Sequence, residues 1–225
     1  MSQSIGSQSP RVCVVLSGCG VFDGAEIHES VIALLALARR GATVTCAAPD
    51  KPQMHVIDHL RGQVAEGETR NVLVESARIA RGNITPLAQI QEADFDAVFL
   101  PGGFGAAKNL SDFAIKGADG SADPELVRVL QAFRAAGKPI GAVCIAPAVL
   151  VLALGEGEVT IGSDEGTAGA ILAAGGAHVA CPVQQAHVDT DRKLVTAPAY
   201  MVDTTIDQVA EGIEQAVDAV LGMCG

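Results

Sequence analysis

The chain is predicted to fold as one α/β domain, a doubly wound, mostly parallel sheet with helices on both faces. Three observations carry this expectation. Short β-branched runs alternate with longer segments of helical periodicity, and Gly- and Pro-rich loops join them. Hydrophobic residues make up 49% of the 225 and aromatics only 3%, with no tryptophan. A core of Val, Ala, Leu and Ile suits a parallel sheet buried on both faces. No internal repeat or linker divides the chain, so residues 11–225 read as one domain behind a polar, flexible segment at 1–10.

Residues 11–17, RVCVVLS, end in glycines and read as the first strand. Gly18-Cys19-Gly20 is a tight loop. Asp23 is the expected N-cap of a helix running to about 40, with Glu26 three positions on. Ile27, Val31, Leu34, Leu35 and Ala38 supply its apolar periodicity, and Gly41 stops it. A second strand, 43–48, ends at Pro49-Asp50. The mixed segment 51–68 holds a short strand at 56–58. A helix over 69–81 stops at Gly82, and 84–87 is a weak strand. The third clear strand, 96–100, leads into the loop Pro101-Gly-Gly-Phe-Gly105. Asp123-Pro124 opens a helix to 136, with Pro at its first position. Strand 139–143 is followed at once by Cys144 and an apolar, Ala-rich helix to about 154. A strand at 158–161, a helix at 165–174 and strands at 179–188 and 193–196 come next, the last two joined by a turn at 189–192. The terminal helix, 202–221, aligns Ile206, Val209, Ile213, Val217, Val220 and Leu221 on one face.

Net charge is −11 and no basic stripe appears, which argues against nucleic acid and anionic membrane surfaces as partners. The six cysteines lie far apart without a CxxC pair, a pattern of reduced thiols rather than a disulfide framework. No metal-ligand spacing stands out, and neither metal nor cofactor is expected. The first ten residues lack an apolar signal core and the Arg-rich character of a transit peptide, so a cytoplasmic protein is expected. No apolar run is long enough to cross a membrane as a helix.

Cys144 sits between a strand and a helix, where the backbone turns sharply at the carboxyl edge of the sheet. A helix N-terminus favours negative charge there, which lowers a thiol's pKa and makes it a nucleophile. Ligands in such sheets bind outside the carboxyl ends of the strands. The loops 17–20 and 101–105 meet Cys144 at that edge. Backbone N–H groups at Gly103 and Ile145 are candidates for an oxyanion site; on the glycines alone, structural turns explain the loops equally well. Glu26 and Glu29 lie three apart on the first helix, share a face, and are both candidate proton carriers. His28 points off that face and is secondary. His55, His59, His178 and His187 have no motif context.

The blocks 24–31 (GAEIHESV), 100–110 (LPGGFGAAKNL) and 142–150 (AVCIAPAVL) resemble the ThiJ/PfpI superfamily, which is related to class I glutamine amidotransferase domains. Residues 16–29, 68–75, 80–82, 181–183 and 196–201 are similar to its ElbB branch, and the likeness covers nearly the whole chain beyond residue 10. The resemblance implies a flavodoxin-like fold and a homodimer. It maps the family nucleophile onto Cys144, the protonated glutamate that hydrogen-bonds the thiolate onto Glu29, and the oxyanion-loop glycine onto Gly103. It further implies a glyoxalase that needs no glutathione, and a link to isoprenoid metabolism. Two departures stand out. Ile145 occupies the position where a histidine often follows the nucleophile, and Ile161-Gly-Ser163 offers none after the next strand. A Cys-His-Glu glutaminase is therefore disfavoured. The reading expected is a cofactor-free enzyme acting on small aldehydes such as glyoxal, a lyase-type reaction. The alternatives are a redox sensor with an oxidisable Cys144, for which Cys19 could serve as resolving thiol, and an amidase-like subunit awaiting a partner.

Overall fold

The computed structural model describes residues 9–224. The expected flexible segment 1–10 thus falls, up to residue 8, outside the described residues. In chain order the elements are β1 (Arg11–Val15), α1 (Ile27–Arg39), β2 (Thr43–Ala48), β3 (Ile57–Asp58), β4 (Gln63–Val64), α2 (Val72–Ile79), β5 (Ile84–Pro86) and β6 (Ala97–Leu100). There follow α3 (Phe104–Lys108), α4 (Phe113–Lys116), α5 (Pro124–Ala135), β7 (Ile140–Val143), α6 (Ala146–Leu154), β8 (Glu158–Val159) and α7 (Glu165–Ala173). The chain closes with β9 (Ala177–His178), β10 (His187–Asp189), β11 (Leu194–Ala197) and α8 (Ile206–Gly222).

Seven strands form one sheet in the order β10-β11-β7-β6-β1-β2-β5. Every pairing in it is parallel except the β10–β11 hairpin. This is the flavodoxin-like, doubly wound architecture the alternating pattern predicts. Every residue of β6 and β7 is buried, which explains why both read as unbroken apolar runs. On one face α1 and α8 pack over the sheet through Ala33, Leu37, Val209, Ile213 and Val217. On the other, α5 and α6 do so through Leu126, Phe133, Val149 and Leu150. The central strands β1, β6 and β7 are adjacent, so the loops after them open at the same edge.

Several local expectations are corrected. The N-cap of α1 is Glu26, whose Oε2 accepts from Glu29 N at 2.7 Å, and not Asp23. Asp23 is buried and accepts from Ile57 N at 2.7 Å, so it ties down the β3–β4 hairpin instead. The buried face of α1 carries Glu29, Ser30, Ala33, Ala36 and Leu37. Ile27, Val31 and Leu35 are exposed, so their spacing marks an outward stripe. Helix 69–81 contracts to α2 because Asn71 caps it through Val74 N. Strand 179–188 is not continuous. Pro182 offers no N–H to a ladder, and within 179–188 regular pairing exists only at His187 and Val188 of β10, while β9 ends just before it at His178. The terminal helix starts at Ile206 after Thr205, leaving Ile206 49% exposed and off the core face. The short helices α3 and α4 had no counterpart in the sequence pattern.

Candidate active site

Cys144 stands at the end of β7 with φ +61°, a left-handed backbone that an L-residue adopts only under constraint. Its N–H donates to Ala197 O of the neighbouring β11 at 3.0 Å, and Ile145 then begins α6 with Pro147 in its first turn. The turn is thus clamped by the sheet on one side and by the helix on the other. It holds the side chain up at the sheet edge, 7% exposed.

Glu29 comes from α1 and is wholly buried. Its Oε2 accepts from Gly102 N at 2.9 Å and its Oε1 from Tyr200 N at 3.2 Å, and the carboxyl is hydrogen-bonded to the Cys144 thiol. Burial first, and the neighbouring charge of Glu26 second, push its pKa up to about 7, against the pull of those hydrogen bonds. The thiol is also pushed up, by burial and by the charge of Glu29. The N–H groups of Gly103 and Ile145 oppose this, since both are directed at the sulfur. A protonated Glu29 removes its own repulsion and donates a hydrogen bond to a thiolate. The two groups interact directly, so their titrations are coupled.

Gly102 makes the approach possible. A Cβ there would overlap Cys144 Cβ and stand 2.8 Å from Glu29 Oε2 and 2.9 Å from Cys144 Sγ. Gly103 follows at φ +93°, which turns its N–H toward the sulfur. The loops lock together, Glu26 N donating to Gly102 O at 2.9 Å and Gly105 N to Gly24 O at 2.8 Å.

Above the thiol opens a cavity of about 480 Å³, lined among others by Glu26, Gly103, Phe104, Phe113, Ile145, Asp164, Tyr200 and Met201. The structure brings six of the seven residues singled out in the sequence to this cavity or its surroundings. Cys144, Glu29, Gly103 and Ile145 converge, Glu26 caps the helix and walls the cavity, and His28 Nδ1 lies 3.0 Å from Tyr200 Oη at the rim. Cys19 is not brought in. It does not line this cavity, and burial and Glu75 raise its pKa while Arg78 opposes them, so it faces α2. Gly102, Tyr200 and Asp164 escaped sequence reasoning. Gly102 was hidden inside a loop read through Gly103. Tyr200 could have been found as the single tyrosine of the chain, just beyond a strand's carboxyl end.

No group of three or more His, Cys, Asp or Glu side chains placed to hold a metal occurs among the described residues, and none of their helices is long and apolar enough to cross a membrane.

Fold and site together define an α/β protein with a strained cysteine elbow and a buried carboxyl partner. The chain belongs to the DJ-1/PfpI family, whose model matches residues 19–215. It is 51% identical over 231 aligned residues to the human "Glutamine amidotransferase-like class 1 domain-containing protein 3, mitochondrial", covering 99% of this chain and 86% of that one. It is 34% identical to the zebrafish "ES1 protein, mitochondrial", covering 95% and 86%. Among solved structures it superposes with a TM-score of 0.90 on an Ehrlichia chaffeensis isoprenoid biosynthesis protein with an amidotransferase-like domain, at 39% identity over 96% of this chain and 100% of that one. A Candida albicans glyoxalase III shares the fold, with a TM-score of 0.62 at 15% identity over 96% and 98% of the two chains.

These names correct one expectation. The curated relatives are called mitochondrial, which points to that compartment and away from the cytoplasm. Free thiols and an acidic surface suit any reducing compartment, so the composition of a folded domain carries no address.

Proposed function

We propose that the protein is a glutathione-independent, cofactor-free glyoxalase that converts 2-oxoaldehydes to 2-hydroxy acids, glyoxal to glycolate. The observation that supports this is the buried Cys144–Glu29 pair at the foot of a cavity, with no histidine on the cavity wall among the described residues. The Cys144 thiolate adds to the aldehyde carbon, and the oxygen takes the proton of Glu29, giving a hemithioacetal. The Glu29 carboxylate then removes the hydrogen from that carbon, and the electron pair moves into an enediolate that carries its negative charge on the second oxygen. Glu29 returns the proton to the second carbon while the hydroxyl proton on the first carbon passes to the second oxygen, which leaves a thioester of the hydroxy acid. Water cleaves it, releasing glycolate and the thiol. A carboxyl whose pKa is raised to about 7 is matched to this back-and-forth transfer at neutral pH. The N–H groups of Gly103 and Ile145 stabilise the thiolate and the oxygen that forms beside it.

Cys144→Ala is expected to abolish conversion of glyoxal to glycolate, followed by proton NMR; full retention would sink the mechanism. Negligible turnover together with fast peroxide oxidation of Cys144 would move the protein to the sensor reading. A homodimer is part of the proposal, supported by the outward stripe of Ile27, Val31 and Leu35. Sedimentation of Val31→Glu tests it, with a monomer expected.

A further inference from the structure

We infer that the cavity over Cys144 selects carbonyl substrates carrying an uncharged, apolar arm and rejects those whose arm ends in a carboxylate or phosphate. The identity of the reacting group rests on the glyoxalase reading, whereas the arm preference rests on the cavity alone.

Size is the first observation. About 480 Å³ lies within the range of roughly 300–1,000 Å³ that takes drug-sized ligands. Glyoxal, two joined carbonyls, fills a small part of it. The wall chemistry is the second. Phe104, Phe113, Ile145 and Met201 present an apolar surface beyond the thiol, and Phe104 is 49% exposed.

Charge is the third observation. The ionisable side chains on the lining other than Cys144 are Glu26, Asp164 and Tyr200, and no Lys, Arg or His lines it among the described residues. Thr167 hydrogen-bonds Asp164 and holds its carboxyl below the usual range, so it is charged at neutral pH. Lys108 Nζ lies 5.4 Å from the Phe104 ring centroid, but it donates to Phe22 O at 2.8 Å and does not line the cavity. The Gly103 and Ile145 amides are committed to the sulfur and the oxygen beside it. An anionic arm would meet two acidic side chains in a chain of net charge −11, with no cation on the wall to receive it.

The test compares kcat/KM for glyoxal, methylglyoxal and straight-chain alkyl 2-oxoaldehydes of increasing length, together with acid-terminated arms of equal length. We expect kcat/KM to rise about fourfold per methylene while the arm stays inside. The acid-terminated arm should fall at least roughly tenfold below its neutral isostere. Asp164→Asn should narrow that gap. A flat series, or equal use of the acid-terminated arm, overturns the inference. A measurement without turnover separates it from the glyoxalase reading. The rate of Cys144 alkylation by N-hexyl iodoacetamide is compared with iodoacetamide and with the acid-terminated reagent, each normalised to a small free thiol. If no dicarbonyl is consumed at all, the glyoxalase reading falls and the alkylation ratios alone decide. Preference for the hexyl reagent sustains the arm inference, and equal normalised rates overturn it.

Discussion

Replacing Glu29 by Gln should flatten a pH dependence of stability that the buried carboxyl imposes. The group's pKa climbs from 4.5 to about 7 on folding. Between those values the folded protein keeps a proton that the unfolded chain has released. Its contribution is therefore fully present below pH 4.5 and is lost as pH rises through 7. At about 1.4 kcal/mol per pH unit, the loss is about 3 kcal/mol once both states are ionised. The carboxyl is wholly buried, so solvent screening does not dilute this figure. The substituted side chain cannot ionise, but its amide NH2 replaces one of the two oxygens that accept from Gly102 N and Tyr200 N. That leaves a buried N–H without an acceptor, at a cost of about 1–3 kcal/mol. The variant should thus be less stable than wild type near pH 5, and equal to it or up to about 2 kcal/mol more stable near pH 8. Urea unfolding at half-unit steps from pH 4.5 to 8 reads the difference directly, since all other groups cancel. The thiol, held up by burial and by Glu29, does not confuse this window. Two parallel stability curves would refute the raised carboxyl. In the same experiment wild-type glyoxal consumption should rise through an apparent pKa near 7, and Glu29→Gln should lose most of the rate.

Gly102→Ala forces a methyl onto Cys144 and Glu29, so it should abolish dicarbonyl turnover and cost about 1–3 kcal/mol by thermal unfolding; an active, unshifted variant would contradict the packing. Because Cys144 sits at φ +61°, Cys144→Gly should be about 1 kcal/mol more stable than Cys144→Ala, measured as a difference in urea midpoints. Asp123 caps α5 by accepting from Glu125 N at 3.0 Å and pairs with Lys51, away from the cavity. Its replacement by Ala should lower stability by about 1–2 kcal/mol while glyoxal consumption stays at the wild-type value.

Much of this protein is written in local signals. Unbroken apolar runs are readable as β6 and β7 because strands buried on both faces need no polar alternation. Asp123-Pro124 marks the start of α5 because proline's fixed backbone and missing N–H suit the first turn. A cysteine wedged between such a strand and an Ala-rich helix stands at the sheet edge by topology alone. The signals that misled were also local. Asp23 looked like a cap, and Ile27, Val31 and Leu35 looked like a core face. Their true roles depend on what approaches from elsewhere in the chain: the Ile57 amide, and the sheet and α8 that bury the opposite side of α1.

The doubly wound fold and the place of Cys144 at the sheet edge were determined by the sequence itself, through periodicity, breakers and the glycines flanking the strands. The likeness carried by residues 24–31 points to Glu29 as the thiol's partner, but only the tertiary structure gives the physical reason that it, and not Glu26, meets the thiol. Glu26 and Glu29 share a helix face, but Glu26 is consumed capping that helix. Glu29 is carried under Gly102 and Tyr200, into a buried place where its pKa rises to about 7. Desolvation and the fit of Gly102 come from groups more than seventy residues apart in sequence, brought together by the adjacency of β1, β6 and β7. Periodicity and spacing along the chain do not hold that physical reason.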